Sequence, residues 1–177
     1  MTGKLISGLI GACLAVAIVG TGAAAWDAAG EKLAHNAIAE FKKADPGIEA
    51  FFNEAHGYAI FPEITKGAIG IGGARGDGTV FEGGSSIGSS TMTQVTIGLQ
   101  LGGQTYREAI FFKDKAALDN FKLGNYEVAA GASAIAVTDG ASKTAAYDKG
   151  VAVFTMGTGG LMFEASIGGQ KFSFEPK

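Results

Sequence analysis

Apolar positions recur at helical spacing from Asp27 to Ala44. On a wheel of about 100° per residue, Trp26, Leu33, Ala34, Ala37, Ile38 and Phe41 share one arc, and Lys32, His35, Asn36, Lys42 and Lys43 fill the other. The spacing predicts an amphipathic helix that ends at Asp45-Pro46-Gly47, where the proline ring cannot continue the hydrogen-bond ladder and the glycine permits a turn. A short second helix is expected over Ile48 to Ala55.

Beyond His56-Gly57 the period changes to two. Tyr58 to Pro62, Lys66 to Ala74 and Gly78 to Glu82 read as short strands punctuated by glycine. Val95, Ile97, Leu99 and Leu101 alternate with Thr96, Gly98 and Gln100, as a half-buried strand requires, and Gln104 to Phe112 is expected to return beside it through a turn at Gly102-Gly103. Asp114 can cap a helix from Lys115 to Leu123, with Ala117, Leu118 and Phe121 on one face and Gly124 as its stop. Three further strand runs follow, Tyr126 to Val137, Gly150 to Met156 and Leu161 to Phe174, the last folded over at Gly168-Gly169; Thr138 to Lys149 is a polar connection. Short strands with tight turns and few helices predict an α+β domain, a Gly-rich antiparallel β barrel or sandwich with two or three helices packed on it. Glycine supplies 29 of the 177 residues, many inside strand runs, which points to bends, bulges or close backbone approach.

Composition adds where the chain works. Lys4, the apolar stretch from Leu5 to Gly20 and Ala23-Ala24-Ala25 have the pattern of an export signal, so residues 1–25 read as a signal peptide and 26–177 as one domain, periplasmic or secreted. The alternatives are a retained membrane anchor and a lipoprotein made at Cys13, the one cysteine; the residues after Cys13 stay apolar or small, which disfavours lipidation. Removal of 1–25 takes away Cys13, and with it any disulfide, thiolate metal site or cysteine nucleophile. The formal net charge is −3, and it becomes one unit more negative without Lys4. Such a surface lacks the basic footprint that nucleic-acid binding needs.

No motif points to catalysis, a cofactor or a metal. His35 and His56 have no Cys or carboxylate set at ligand spacing, and Ser85, Ser86, Ser89 and Ser90 sit in a Gly-rich loop without a G-x-S-x-G elbow. Gly67 to Gly78 fits neither G-x-G-x-x-G nor the Walker pattern, so nucleotide binding is not expected. Arg75-Gly76-Asp77-Gly78 reads as a hairpin tip between strands that end at Ala74 and begin at Thr79. The first helix carries two readings. Its apolar arc docks on the sheet, or Trp26, Leu33, Ile38 and Phe41 enter a lipid interface while Lys32, Lys42 and Lys43 meet phosphates.

The run GYAIFPEITKGAIGIGGARGDGTVFEGG, Gly57 to Gly84, resembles the opening of the SYLF domain, in which a Gly-aromatic-apolar-Phe-Pro strand leads into a Gly-rich hairpin. VTIGLQLGGQTYREAIFFKDKAALDNF, NYEVAAGASAIAV and KGVAVFTMGTGGLMFEASIGGQKF are similar to its later blocks in the same order, so the resemblance extends from Phe51 to Phe174. It implies a non-enzymatic domain that binds phospholipid or a membrane surface; bacterial members are typically exported envelope proteins, and some eukaryotic ones bind actin. The loop Gly83 to Ser90 lacks the Trp-Ser-x-Pro segment of many members, and actin binding is not carried over. The residues expected to meet lipid are Trp26, Lys32, Leu33, Ile38, Phe41, Lys42, Lys43, Lys66 and Arg75, the cations together with backbone amides of the Gly-rich turns holding a head group. The alternatives are a small outer-membrane β-barrel and a structural or protein-binding envelope component whose protein partner is unidentified.

Overall fold

The computed structural model describes residues 28–69, 71–97, 104–126, 134–158 and 168–177. The expected signal segment, Trp26, the expected turn at Gly102-Gly103, residues 127–133 of one expected strand and 161–167 of another lie outside the described residues. The fold is α+β and rich in β structure. Helix α1 (Ala28–Ala44) is followed by a 3-10 turn (Pro46–Ile48) and α2 (Glu49–Glu54); strands β1 (Gly57–Ile69), β2 (Ile71–Glu82), β3 (Ser85–Ile97) and β4 (Gln104–Phe112) precede α3 (Lys115–Lys122). A short β5 (Ile135–Ala136), a second 3-10 turn (Ala141–Thr144), β6 (Val151–Gly157) and β7 (Gln170–Pro176) complete it.

The described strands form one seven-stranded sheet in the order β5-β6-β4-β1-β2-β3-β7, antiparallel except for β5 beside β6. In this order β7 is separated from β4 by three strands. Gln170 of β7 nevertheless donates to Glu108 of β4 at 2.9 Å, and the rings of Phe172 and Phe61 lie 5.7 Å apart. The sheet is therefore strongly curled, and its concave face closes on itself.

Three sequence expectations are corrected by the pairing. Arg75-Gly76-Asp77-Gly78 is not a hairpin tip; it runs through the middle of β2, hydrogen-bonded to β1 and β3 on its two sides. The short runs around it fuse into two long strands, because ladder bonds on both edges outweigh the weak strand propensity of glycine. The serines placed in a loop belong to β3, and Gly83 and Gly84, both at positive φ, make the turn alone. Strand β4 pairs with β1 and β6 instead of β3.

Alternation sorts the apolar residues into two cores. On the convex face, Tyr58, Ile60, Phe81, Ala109, Phe111, Ala152 and Phe154 pack under Ala34, Ala37 and Phe41 of α1 and Ile48, with Phe51 and Phe52 of α2 around them. On the concave face, Phe61, Ile64, Val80, Met92, Ile110, Phe112 and Phe172 close around Leu118 and Phe121 of α3. Asp114 caps α3, its side chain accepting from the Ala117 N–H at 2.9 Å.

Two local devices set the shape. Pairing of β1 shifts register around Phe61-Pro62, since Pro62 has no N–H to give to a ladder; the resulting bulge puts Phe61 and Ile64 on the same face. The Phe61 ring then lies over Gly78, where an added methyl would come 2.6 Å from Phe61 Cδ1 and 2.6 Å from the Ile60 carbonyl oxygen. The second device is Asp45, buried between α1 and α2. Its Oδ1 accepts from the N–H groups of Gly47 (3.0 Å) and Gly140 (3.3 Å), and its Oδ2 from that of Ser142 (2.7 Å). Burial pulls this carboxyl upward, but the backbone donors of Ser142, Gly47 and Gly140 outweigh it and hold the group below the ordinary value of 3.8.

Gly78→Ala should lower unfolding stability by about 1–3 kcal/mol in urea titrations. Gly67→Ala, with no heavy atom within 4 Å of the added methyl, should leave it nearly unchanged. Asp45→Asn replaces the acceptor facing Ser142 by a donor and should cost about 1–3 kcal/mol near neutral pH. Because the folded-state pKa of Asp45 is lowered, its contribution is present above 3.8 and is lost as pH falls through the folded value. Urea melts of wild type and variant should therefore converge on acidification.

Candidate functional site

Helix α1 lies across the convex face with a narrow footprint. Ala34 and Ala37 let its backbone approach the sheet, Phe41 is wholly buried, and Ile38 is half-buried against the same core. Its first turn is held at the far edge. Glu31 accepts from the Ser86 hydroxyl of β3 at 2.8 Å, and Lys177 lies 3.7 Å from the same carboxylate. Leu33 points to the flank and is 56% exposed.

Two open grooves follow one another along one flank of the helix, where Gly30, Leu33, Ala37 and Glu40 form a single stripe, and share Leu33, Pro62 and Glu63 in their walls. The larger, about 510 Å³, extends over β2 and β3 to Asp77, Thr79 and Thr91. The other, about 440 Å³, reaches Asn36, Glu40 and Arg107. A third, about 400 Å³, continues from Thr91 across Arg75, Thr93, Lys171 and Ser173. The convex face is thus apolar and covered beneath α1 and α2, and hydroxyl-rich and charged where the helices leave it bare.

The expected lipid-contacting residues do not converge on one spot. Leu33 and Arg75 line grooves that adjoin at Thr91. Phe41 is enclosed in the helix–sheet interface and Ile38 is partly so, which places both in the docking role. Lys32 and Lys43 are exposed on α1, while Lys42 pairs with Glu49 at 3.0 Å and stands over the Phe52 ring. Lys66 lies half-buried on β1 opposite Gln104 and Ala74. Glu63, Asp77, Thr91, Thr93, Lys171 and Ser173 were not expected at a site. Only strand register brings them together, and only the alternation within each strand could have hinted at it.

Two further polar groupings emerge from the fold. His56 gains Glu82 as a partner at 2.9 Å, where β1 begins and β2 ends. Inside the concave core, Glu108 is wholly buried, accepts from Gln170 Nε2 at 2.9 Å, and leaves its Oε1 without a partner among the described residues; Gln170 also reaches the Tyr106 hydroxyl at 3.4 Å. Burial pushes the Glu108 carboxyl up to about 7, against the opposing effect of the Gln170 amide. Burial and the neighbouring Glu108 charge also raise the Tyr106 hydroxyl. Glu108 is absent from the walls of all three grooves. Among the described residues, no group of three or more His, Cys, Asp or Glu converges as a metal site, and no helix is long and apolar enough to cross a membrane.

The raised Glu108 pKa has a definite sign. The unfolded carboxyl ionises near 4.5 while the folded one keeps its proton to about 7, so stability falls as pH rises through that window and then levels. The loss should reach about 3 kcal/mol, from 1.36 kcal/mol per pH unit of displacement. Glu108→Gln should flatten this dependence and be more stable than wild type at pH above about 7, with little difference near 4.5. Urea melts across that range would measure it, and an unchanged slope in the variant would contradict the assignment.

No protein-family model matches the chain. It is similar to Beta cell expansion factor A of Aeromonas veronii, with 29% identity over 143 residues, which cover 79% of this chain and 54% of that protein. The chain thus spans about half the length of the curated relative it matches.

Proposed function

We propose that this chain is an exported, non-enzymatic phospholipid-binding domain of the SYLF type. The observation that carries the reading is the pair of open grooves meeting at exposed Leu33, beside a bare sheet face that holds Arg75 and Lys171. A membrane interface offers what such a border matches, with apolar, hydroxyl-bearing and charged groups within a few Å of one another. The contact uses the flank of α1, because Ala34, Ala37 and Phe41 are spent on docking the helix. Val95, 73% exposed on β3, adds a second apolar anchor at the other end of the face. The outer-membrane barrel alternative is disfavoured, since α1 and α2 cover the convex side of β1, β4 and β6, which a spanning barrel would present to lipid.

The similarity to Beta cell expansion factor A favours a second reading, that this chain too acts on beta cells. Beta-cell counts after addition of the purified protein would test it, and no increase over buffer would count against it.

Liposome co-sedimentation tests the lipid reading. The protein should pellet with vesicles, and Leu33→Glu should weaken binding by at least about tenfold, since burying a leucine is worth about 1.5–3 kcal/mol. Failure to pellet with both zwitterionic and anionic vesicles would overturn it.

A further inference from the structure

The bare part of the convex face is ordered in rows. Strand register aligns Glu63, Asp77, Thr91 and Ser173 across β1, β2, β3 and β7. Two residues further along each strand it aligns Thr65, Arg75, Thr93 and Lys171, and beyond them Gly67, Gly73 and Val95 across β1 to β3. From the flank of α1 outward, the face thus presents an apolar wall at Leu33 and Pro62, an acidic row, a basic row and the exposed Val95. Successive rows stand about 7 Å apart at the backbone, within reach of the longer side chains.

The two charged rows hold each other only loosely. Arg75 and Asp77, on the same strand, form an ion pair at 3.8 Å, longer than a hydrogen bond, and with the side chains 69% and 73% exposed such a pair is weak and can be exchanged for a ligand's charges. Asp77 also accepts from the Thr91 hydroxyl at 2.8 Å, which orients its carboxylate beside the junction of two grooves. Lys171 and Glu63 are exposed at opposite corners of the same face. The hydroxyls of Thr93 and Ser173 lie among these charges and can donate to an anion's oxygens.

We propose that this face binds a zwitterionic phospholipid head group, with the ammonium on Glu63 and Asp77 and the phosphate on Arg75 and Lys171. A two-carbon linker joins ammonium to phosphate in such head groups, so the two charges sit at the separation of neighbouring rows once the side chains lean over them. The order along the strands also fits. The ammonium end abuts Leu33 and Pro62, the phosphate follows, and the glycerol end runs out toward Val95. Two acids and two bases leave the patch without net charge, so it selects by the orientation of the ligand's dipole and not by long-range attraction to an anionic surface. The inference rests on the lipid reading above and specifies its head group.

Co-sedimentation with phosphatidylcholine vesicles and with phosphatidylglycerol vesicles tests it, using the full chain, the pair Arg75→Ala/Lys171→Ala and the pair Glu63→Gln/Asp77→Asn. Wild type should prefer phosphatidylcholine, and each pair should weaken that binding by at least about tenfold. Circular dichroism should show both pairs folded, since all four side chains are exposed. Soluble glycerophosphocholine should compete with vesicles, and inorganic phosphate should not. If wild type pellets and both pairs pellet equally well, the head-group assignment falls while the lipid reading stands. A preference for phosphatidylglycerol, or competition by inorganic phosphate alone, would reduce the patch to a simple anion site and also overturn it. No pelleting of wild type with either vesicle removes the lipid reading itself.

Discussion

Everything in this molecule follows from the need to bury both faces of β1, β4 and β6 at the middle of the sheet. Tyr58 and Ile60 face one way and Ala59 and Phe61 the other; Phe111 and Phe112, and Phe154 and Val153, repeat the arrangement. An ordinary antiparallel sheet can leave one face to water, but these strands cannot. Helices α1 and α2 cover the convex side, while the concave side is covered by α3 and by the sheet's own far edge. Curling is thus a consequence of burial, and the Phe61-Pro62 bulge with Gly78 beneath the Phe61 ring supplies the bend.

The same constraint explains where the surface becomes chemically mixed. The buried underside of helix α1 is narrow, formed by Ala34, Ala37 and Phe41, so it shields only the apolar half of the convex face. The strands continue beyond it, and there the outward positions switch from aromatic residues to threonine, serine and paired charges. A boundary between a docked helix and a bare polar sheet is a place where an amphiphile finds both of its preferred surroundings within one molecular length.

Much of the architecture was legible in the chain. Strand β4 was expected as the apolar run returning from Gly102-Gly103, and helix α3 follows from a single capping aspartate, a signal that needs no partner to be read. The class of fold follows from their neighbours in the same way. The Gly-rich middle was misread because Arg-Gly-Asp-Gly has turn chemistry locally, whereas β1 and β3 hold it extended from both sides. Strand order was equally hidden, since β4 pairs with β1 on the side away from β2 instead of beside β3. The site suffered most: Leu33 and Arg75 could be named from pattern and charge, but Glu63, Asp77 and Lys171 acquire meaning only through register. Glu108 sits in an ordinary strand sequence, and its environment is made by Gln170, 62 residues away.

The carboxylate of Asp45 joins the helical N-terminal segment to a turn 97 residues later in the chain. A ribosome releases residues in order, so the first helices emerge long before Gly140 and Ser142 exist to complete the clasp. Until then the oily underside of α1 has no finished seat, and the nascent chain stays open to whatever receives it. Closure of the clasp is therefore a late step, possible only once Gly140 and Ser142 have been made.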